Sequence, residues 1–281
     1  MGRNGNRKVE CKLMRHAWLI IAHNEFEVLQ RLVSMLDVPE SGFYIHVDRK
    51  VKALPKIHVE NGKIVLLKDR VDVRWGSVSQ IKTELLLLES AIQDAPYDYY
   101  HILSGTTLPL KSLDEINRFF LSMNGKSVVT GMTRDSIYQE TLKLRRYNLF
   151  LRNYMSPNKH IRRVNQLLWR SFIAFQRVLG ITTNRAKTFY KASNWLSLTE
   201  EAGRMILSRK KEILRTYRWS FCGDEYFIPS ELMDSPLREM IFNDDKYLLH
   251  TIGRANARTY LLSEWSELRK TEYLFARKFT R

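Results

Sequence analysis

Residues 17–22 read AWLIIA, and residues 23–36 read HNEFEVLQRLVSML. The first six carry no charge and no breaker, which fits a strand buried on both faces. In the second stretch Phe26, Val28, Leu29, Leu32, Val33 and Leu36 recur at helical spacing, so 25–36 reads as an amphipathic helix. Between the two stand His23, Asn24 and Glu25. A buried strand, a polar break and an amphipathic helix form the opening half of a βαβ unit.

Working outward, the same alternation continues through the first half. FYIHV (43–47) and KIVLL (63–67) read as strands, and QIKTELLLLESAIQ (80–93) as a helix capped by Ser77 or Ser79. DYYHILS (98–104) is a strand, LDEINRFFLSM (113–123) a helix and KSVVTGM (126–132) a strand. Such a chain predicts an α/β layer with a largely parallel sheet, in which ligands bind beyond the carboxyl ends of the strands. Polar residues gather at those ends: His23, Asn24 and Glu25, then Asp48, Arg49 and Lys50, then Ser104, Gly105, Thr106 and Thr107. Neither G-x-G-x-x-G nor G-x-x-x-x-G-K-[ST] is present, which disfavours a dinucleotide dehydrogenase or a P-loop enzyme. Farther on, residues 193–214 read as a strand turning into a helix, with Thr199 as its N-cap.

The 281 residues are 44% hydrophobic and 27% charged, enough for one substantial core. No apolar run approaches the roughly 20 residues of a bilayer-spanning helix. The start, MGRNGNRKVECKLMRHAW, is basic and polar and has no stretch resembling a cleavable signal. Cys11 and Cys222 are too few for a disulfide scaffold and fit a reducing cytoplasm. The net charge of +16 is uneven: from Thr141 to Thr199 there is no Asp or Glu, while twelve Lys and Arg stand there. Such a field attracts phosphates on nucleic acid, lipid headgroups or a nucleotide, and the competing reading is a solvated basic face. Within it VNQLLWRSFIAFQRVLGI (164–181) has a helical period with cations on it.

SFCGDEYFIP (220–229) sets Asp224 and Glu225 among aromatic residues. Carboxylates avoid apolar company unless paired or employed. Sugar transfer from a nucleotide donor needs a base for the acceptor hydroxyl and positive charge for the departing diphosphate. Asp48, Asp69, Asp72, Asp244 and Asp245 form no Asp-x-Asp after a strand, so cations stand in for a metal; Arg254, Arg258, Arg277 and Lys278 are the candidates. His23, His46 and His101 lack metal-ligand spacing and read as core or pocket-wall residues.

Seven stretches in order, WLIIAHNE, FYIHVDRK, VRWGSVSQIKTELLLLESA, YDYYHILSGTTLPLKS, SNWLSLTEE, CGDEYFIPSELMDSP and LFARKF, resemble the core-2/I-branching β-1,6-N-acetylglucosaminyltransferase family, glycosyltransferase family 14. The related peptide O-xylosyltransferases share it. The compact length looks like a bacterial member. The resemblance implies a single GT-A domain over 16–281 behind a 1–15 tail: a nucleotide-sugar half (16–135), a basic helical segment (136–192) and an acceptor and catalytic half (193–281). It further implies inversion at the anomeric carbon, a UDP-sugar donor, no cofactor and no metal. Glu225 of GDEYF inherits the catalytic-base role, and partial burial would raise its pKa toward a useful range. Asp224 then orients the loop or binds an acceptor hydroxyl. Lys278 inherits the diphosphate contact, joined by Arg258 or alternatively Arg254. His23, Asn24, Asp48, Trp75, Gly76, Ser77 and Ser104 fall in donor-side motifs, and Trp195 in the acceptor-side strand. Relatives carry Ser-Gly-x-Asp-x-Pro-Leu where this chain has SGTTLPL, so Thr107 stands where an Asp is usual.

The expected partners are therefore a UDP-sugar and a glycan or lipid-linked glycan acceptor, as in bacterial surface-polysaccharide assembly. The basic segment is expected to rest peripherally on an anionic membrane at its cytoplasmic face. A xylosyl donor and a nucleic-acid-binding module are the alternatives, the latter without a recognised binding motif around its cations.

Overall fold

The computed structural model describes residues 14–249 and 258–281. The first half runs β1 (His16–Ala22), α1 (Phe26–Met35), β2 (Ser41–Val47), β3 (Lys63–Leu66), α2 (Ser79–Asp94), β4 (Tyr99–Ser104), β5 (Leu108–Pro109), α3 (Leu113–Ser122) and β6 (Ser127–Val129). There follow α4 (Ile137–Leu144), α5 (Lys159–Val178), β7 (Ser197–Thr199), α6 (Glu200–Ser208), α7 (Lys210–Thr216), α8 (Phe227–Met233) and β8 (Ile241–Asn243). The last part holds β9 (Leu248–Leu249), β10 (Tyr260–Leu261), α9 (Trp265–Leu268), β11 (Phe275–Ala276) and β12 (Phe279–Thr280).

The central sheet has seven strands in the order β3-β2-β1-β4-β7-β6-β8. β1 pairs in parallel with β2 and β4, as the βαβ reading requires. All seven residues of β1 are buried, and Trp18 stacks on His101 at 4.2 Å. β7 departs from the parallel pattern: it runs antiparallel to both β4 and β6, with His101 opposite Ser197 and Tyr99 opposite Thr199. Its start therefore lies toward the carboxyl end of β4, and Trp195, just upstream, reaches the same rim as Ser104.

The histidines divide as their positions suggest. His101 and His16 join a buried polar chain, His16 to His101 at 2.8 Å, His101 to Ser197 Oγ at 2.7 Å and Ser197 to Tyr247 at 2.7 Å. His46 Nε2 accepts the Val71 N–H at 2.8 Å, and burial pushes its pKa down to about 4. Both His46 and His101 are thus neutral core residues, whereas His23 is exposed at the end of β1.

Two local expectations need correction. Neither Ser77 nor Ser79 caps α2; the N-cap position is Val78, without a side-chain bond. The two hydroxyls bond each other at 2.7 Å, and Ser79 Oγ accepts the Arg74 N–H at 2.7 Å, so they fasten the incoming loop instead. The helix expected over 164–181 starts earlier, at Lys159, because Asn158 Oδ1 accepts the N–H groups of His160 and Ile161. Thr199 caps α6 as expected, accepting from the Ala202 N–H.

A three-stranded sheet, β5-β11-β9, carries the C-terminal segment back to the main sheet. β11 pairs antiparallel with β5, and the Phe279 N–H donates to Thr106 O at 2.8 Å. Arg277 and Lys278, between β11 and β12, are thereby fixed beside the loop that follows β4.

Candidate active site

Two clusters meet at the carboxyl rim of the sheet. The first forms around the C-terminal cations. Arg277 is buried, its Nε donates to Ser104 Oγ at 3.1 Å, and its guanidinium lies 4.5 Å from the Trp195 ring centre. Burial lowers its pKa to about 9. Lys278 is exposed next to it, and desolvation, then repulsion from Arg277, holds its ammonium below the usual lysine range. A desolvated lysine beside a buried arginine forms a place where an anion is stabilising. His23 belongs to this cluster. Desolvation lowers its pKa, with Lys50, Lys278 and Arg277 adding to that effect against Asp48.

Asp48 is buried and fully engaged. Its carboxylate accepts the Lys50 ammonium at 2.7 Å, the Lys50 N–H at 2.8 Å and the Val73 N–H at 3.2 Å. Its carboxylate thus ties the 71–77 loop to the end of β2. Thr107 is fully buried and bonds Ser104 Oγ at 3.0 Å, so the usual carboxylate position is here a neutral hydroxyl beneath Ser104. Ser104 Oγ joins it to Arg277. Arg258 meets Lys278 only through its backbone, whose O accepts the Lys278 N–H at 3.2 Å; its guanidinium is paired with Glu264 at 2.5 Å. Arg254 lies outside the described residues.

The second cluster forms around Glu225. Residues Gly223–Glu225 make a single 3₁₀ turn entered through Cys222, which takes the left-handed conformation at φ 53°. A non-glycine residue there is uncommon and costs of order 1 kcal/mol or more. The turn is tied to the donor-side loop, since the Cys222 N–H donates to Gly76 O at 2.8 Å. Gly76 itself has φ +73°, and a Cβ on it would sit 2.7 Å from Phe221, so only glycine fits this approach. Trp75 is 54% exposed, stacked on Tyr154 and edge-on to Phe221. Ser77 holds this turn through its bond to Ser79.

The Glu225 side chain is 35% exposed, and its carboxylate lies 3.4 Å from Lys191 Nζ. The backbone O of Glu225 accepts the Ala192 N–H at 2.9 Å, which fixes the turn against the 191–195 segment. The burial expected of Glu225 falls one residue earlier. Asp224 is half-buried as a residue, but its Oδ1 is buried without a hydrogen-bond partner. Burial, reinforced by the charge of Glu225, pushes the Asp224 carboxyl up to about 7. The reason is geometric: the turn points Asp224 inward at α2 and leaves Glu225 at the rim.

A further acid escaped the sequence reading. Glu84 on α2 is buried, and its pKa is raised first by burial and then by the charge of Asp224. Gln80 Nε2 donates to its Oε1 at 3.0 Å, and the Asn194 side chain also faces it. The signal was available: Ile81, Glu84 and Leu88 share the helix face that enters the core. Glu84 links the two clusters, since Asp224 lies on one side and Asn194, beside Trp195 and its stacked Arg277, on the other. Asp224 and Asn194 thus both act on Glu84, and Trp195, the residue after Asn194, lies under the Arg277 guanidinium. Asn24 is exposed at the end of β1 beside His23. Among the described residues no three His, Cys, Asp or Glu side chains converge as metal ligands do.

These two buried acids set a pH dependence. A carboxyl whose pKa is higher folded than unfolded holds its proton more tightly in the native state. Stability is then greatest below the unfolded value and falls as pH rises from about 4 through about 7. Glu84→Gln keeps the Gln80 bond and removes one proton-linked cost. The variant is expected to melt a few degrees above the parent at about pH 8, with the difference vanishing near pH 5. Parallel melting curves across that range would reject the assignment.

The sequence model described as Core-2/I-Branching enzyme matches residues 16–267. Mouse N-acetyllactosaminide beta-1,6-N-acetylglucosaminyl-transferase is 20% identical over 219 residues, 75% of this chain and 51% of that protein. Xylosyltransferase oxt of Drosophila melanogaster is 28% identical over 133 residues, 45% of this chain and 15% of that one. The chain thus spans about half the length of the first and far less of the second. Among solved structures, apo mouse Xyloside xylosyltransferase 1 aligns with a TM-score of 0.39 at 10% identity, over 93% of this chain and 96% of that one. With the family model covering residues 16–267, the chain belongs to the core-2/I-branching enzyme family.

Proposed function

We propose that the protein is an inverting glycosyltransferase that moves a sugar from a UDP-sugar to a hydroxyl of a glycan acceptor, without a metal. The observation that carries this reading is a pair of adjacent cations, Arg277 and Lys278, held at the carboxyl end of β4 by the Arg277–Ser104 bond, with the part-exposed Glu225 carboxylate on a turn bonded to the loop before α2. Ligands of open α/β sheets bind at this rim.

In this reading Glu225 takes the acceptor's hydroxyl proton as that oxygen attacks the anomeric carbon. The bond from that carbon to the diphosphate breaks, and its electron pair leaves on the β-phosphate oxygen. Lys278 and Arg277 neutralise the charge that develops there. A single displacement inverts the anomeric configuration. Lys191 holds Glu225 in place, while Asp224 and Glu84, buried behind it, favour their neutral forms and leave the rim charge to Glu225. Exposed Trp75 offers a flat apolar face on which a sugar ring rests, whereas Trp195, expected from the sequence on the acceptor side, is buried beneath the Arg277 guanidinium and supports that cation instead.

N-acetylglucosamine is the first donor sugar to test, because mouse N-acetyllactosaminide beta-1,6-N-acetylglucosaminyl-transferase aligns over 75% of the chain. Xylose is the second, because of the Drosophila relative. The deciding experiment measures thermal shifts and UDP release with UDP-N-acetylglucosamine, UDP-xylose, UDP-glucose and UDP-galactose, each with and without EDTA. Stabilisation and turnover by one of them, unchanged by EDTA, are expected. Absence of any shift with all four, or strict dependence on added metal, would overturn the proposal.

A further inference from the structure

Surface helices place one apolar stripe against the core and turn polar residues outward. α5 has two apolar stripes. Trp169, Ile173 and Gln176 are buried against the body of the protein. Ile161, Val164, Leu168, Phe175 and Leu179 also recur at steps of three, four and seven, and all are exposed. Leu167 at 65% and Val178 at 85% exposure widen this second stripe, and Phe172 stacks on Phe175 within it. Phe172 also meets exposed Phe150 edge-on, so the patch extends beyond the helix. A contiguous apolar face of this kind marks an interaction surface.

Charge selects its occupant. Lys159, Arg163, Arg170 and Arg177 fall at steps of four and seven along a third stripe of α5, and all four are exposed. No Asp or Glu occurs between Thr141 and Thr199. The cations of this field that meet acids lie off α5: Lys143 with Asp135, Arg145 with Glu140, Lys187 with Glu231 and Lys191 with Glu225. Among the described residues no ion pair engages the four on α5. Beside them a cavity of about 340 Å³ between α4 and α5 has Ile137, Tyr138, Leu142 and Ile173 in its walls together with Arg146 and Arg177.

We infer that α5, with the adjoining edge of α4, is a docking surface for an anionic phospholipid membrane, its aliphatic stripe entering the interface while the flanking cations meet headgroup phosphates. A second copy of the chain would bring like charges together. Single-stranded nucleic acid stacks on aromatic platforms, whereas this stripe is chiefly Ile, Val and Leu. Among the described residues no helix is long and apolar enough to cross a bilayer, so the contact is peripheral. The inner stripe joins this surface to the rim: Trp169 packs 5.4 Å from Phe221, which in turn meets Trp75. The docking stands independently of the sugar-transfer reading, and together they place an acceptor anchored in lipid within reach of Glu225.

The test is co-sedimentation with vesicles of phosphatidylcholine alone and of phosphatidylcholine with phosphatidylglycerol. It compares the parent chain with Leu167→Glu/Phe175→Glu and with Arg163→Glu/Arg170→Glu. All four positions are at the surface, so unchanged circular dichroism and melting are expected. Partitioning should favour the anionic vesicles, fall with added salt, and drop about tenfold or more in each double variant. Equal partitioning to both vesicles, no partitioning to either, or undiminished binding by the Leu167/Phe175 variant would overturn the inference. So would a dimer in analytical ultracentrifugation that this variant dissociates, or binding to an oligonucleotide that outcompetes the vesicles.

Discussion

Glu225→Gln is expected to lower kcat by about 10²- to 10⁴-fold, the usual worth of a positioned general base, while UDP-sugar affinity changes by no more than about twofold. The substitution keeps volume and shape and removes only the proton-accepting charge. The Glu225 side chain is one-third exposed, and the bond that fixes its turn, Ala192 N–H to Glu225 O, is made by the backbone. The melting temperature should therefore hold. The donor diphosphate is assigned to Arg277, over Trp195 and bonded to Ser104, and to Lys278, whereas Glu225 pairs with Lys191, which separates the two readouts. Full turnover by the variant would remove Glu225 from the mechanism. Loss of donor binding with turnover kept at saturation would make it a binding residue. The neighbour gives a control. Asp224→Asn removes a buried acid already shifted up to about 7 and is expected to cost far less activity, because its inward carboxyl does not face the rim.

The sequence carries much of this architecture for identifiable reasons. β1, β2 and β4 carry no Lys, Arg, Asp or Glu and are buried throughout, and α1 and α3 place their apolar residues at a clean helical period, so local pattern and tertiary burial agree. The antiparallel direction of β7 is not local. Three residues show no periodicity, and their direction follows from pairing with β4, almost a hundred positions earlier in the chain. The two-residue strands β9 to β12 are invisible for the same reason, yet they alone deliver Arg277 and Lys278 to the rim.

The site was legible by residue type more than by orientation. That Asp224 and Glu225 are candidates follows from their aromatic surroundings. Which of them is buried depends on the left-handed Cys222 and on the Gly76 carbonyl that anchors it. Resemblance points to Lys278, but the neighbouring Arg277 is the cation stacked on Trp195 and bonded to Ser104, contacts that exist only once β7 and β11 are in place. Arg258 illustrates the reverse. It suits a diphosphate by chemistry, but Glu264 on the following turn takes its guanidinium. Glu84 was hidden in plain view within TELLLLES, an acid on the face of α2 that enters the core. Its raised pKa and its place near Asp224 and Asn194 emerge only from the packing of α2 against the Gly223–Glu225 turn.

Lys278→Met should lower kcat/KM by about 10²-fold and weaken UDP binding by about tenfold, and added magnesium should restore neither. The Lys278 ammonium is exposed, so its loss opens no cavity. Its backbone bonds, N–H to Arg258 O and O from the Tyr260 N–H, survive the change. What disappears is one of two adjacent cations whose mutual repulsion a bound diphosphate relieves. A variant at Arg277 is expected to behave differently. There, loss of the Trp195 stack and the Ser104 bond disturbs a buried contact, and stability is expected to fall along with activity. If UDP bound the Lys278 variant as tightly as the parent, the diphosphate would have to sit elsewhere on the rim, and the pairing of Glu225 with the C-terminal cations across one cleft would fail. If magnesium rescued it, a metal would share the charge neutralisation assigned to Lys278 and Arg277. Measuring UDP affinity at rising ionic strength supplies an independent check. Parent binding should weaken with salt, and the variant's dependence should be shallower, because one fewer charge meets the same anion.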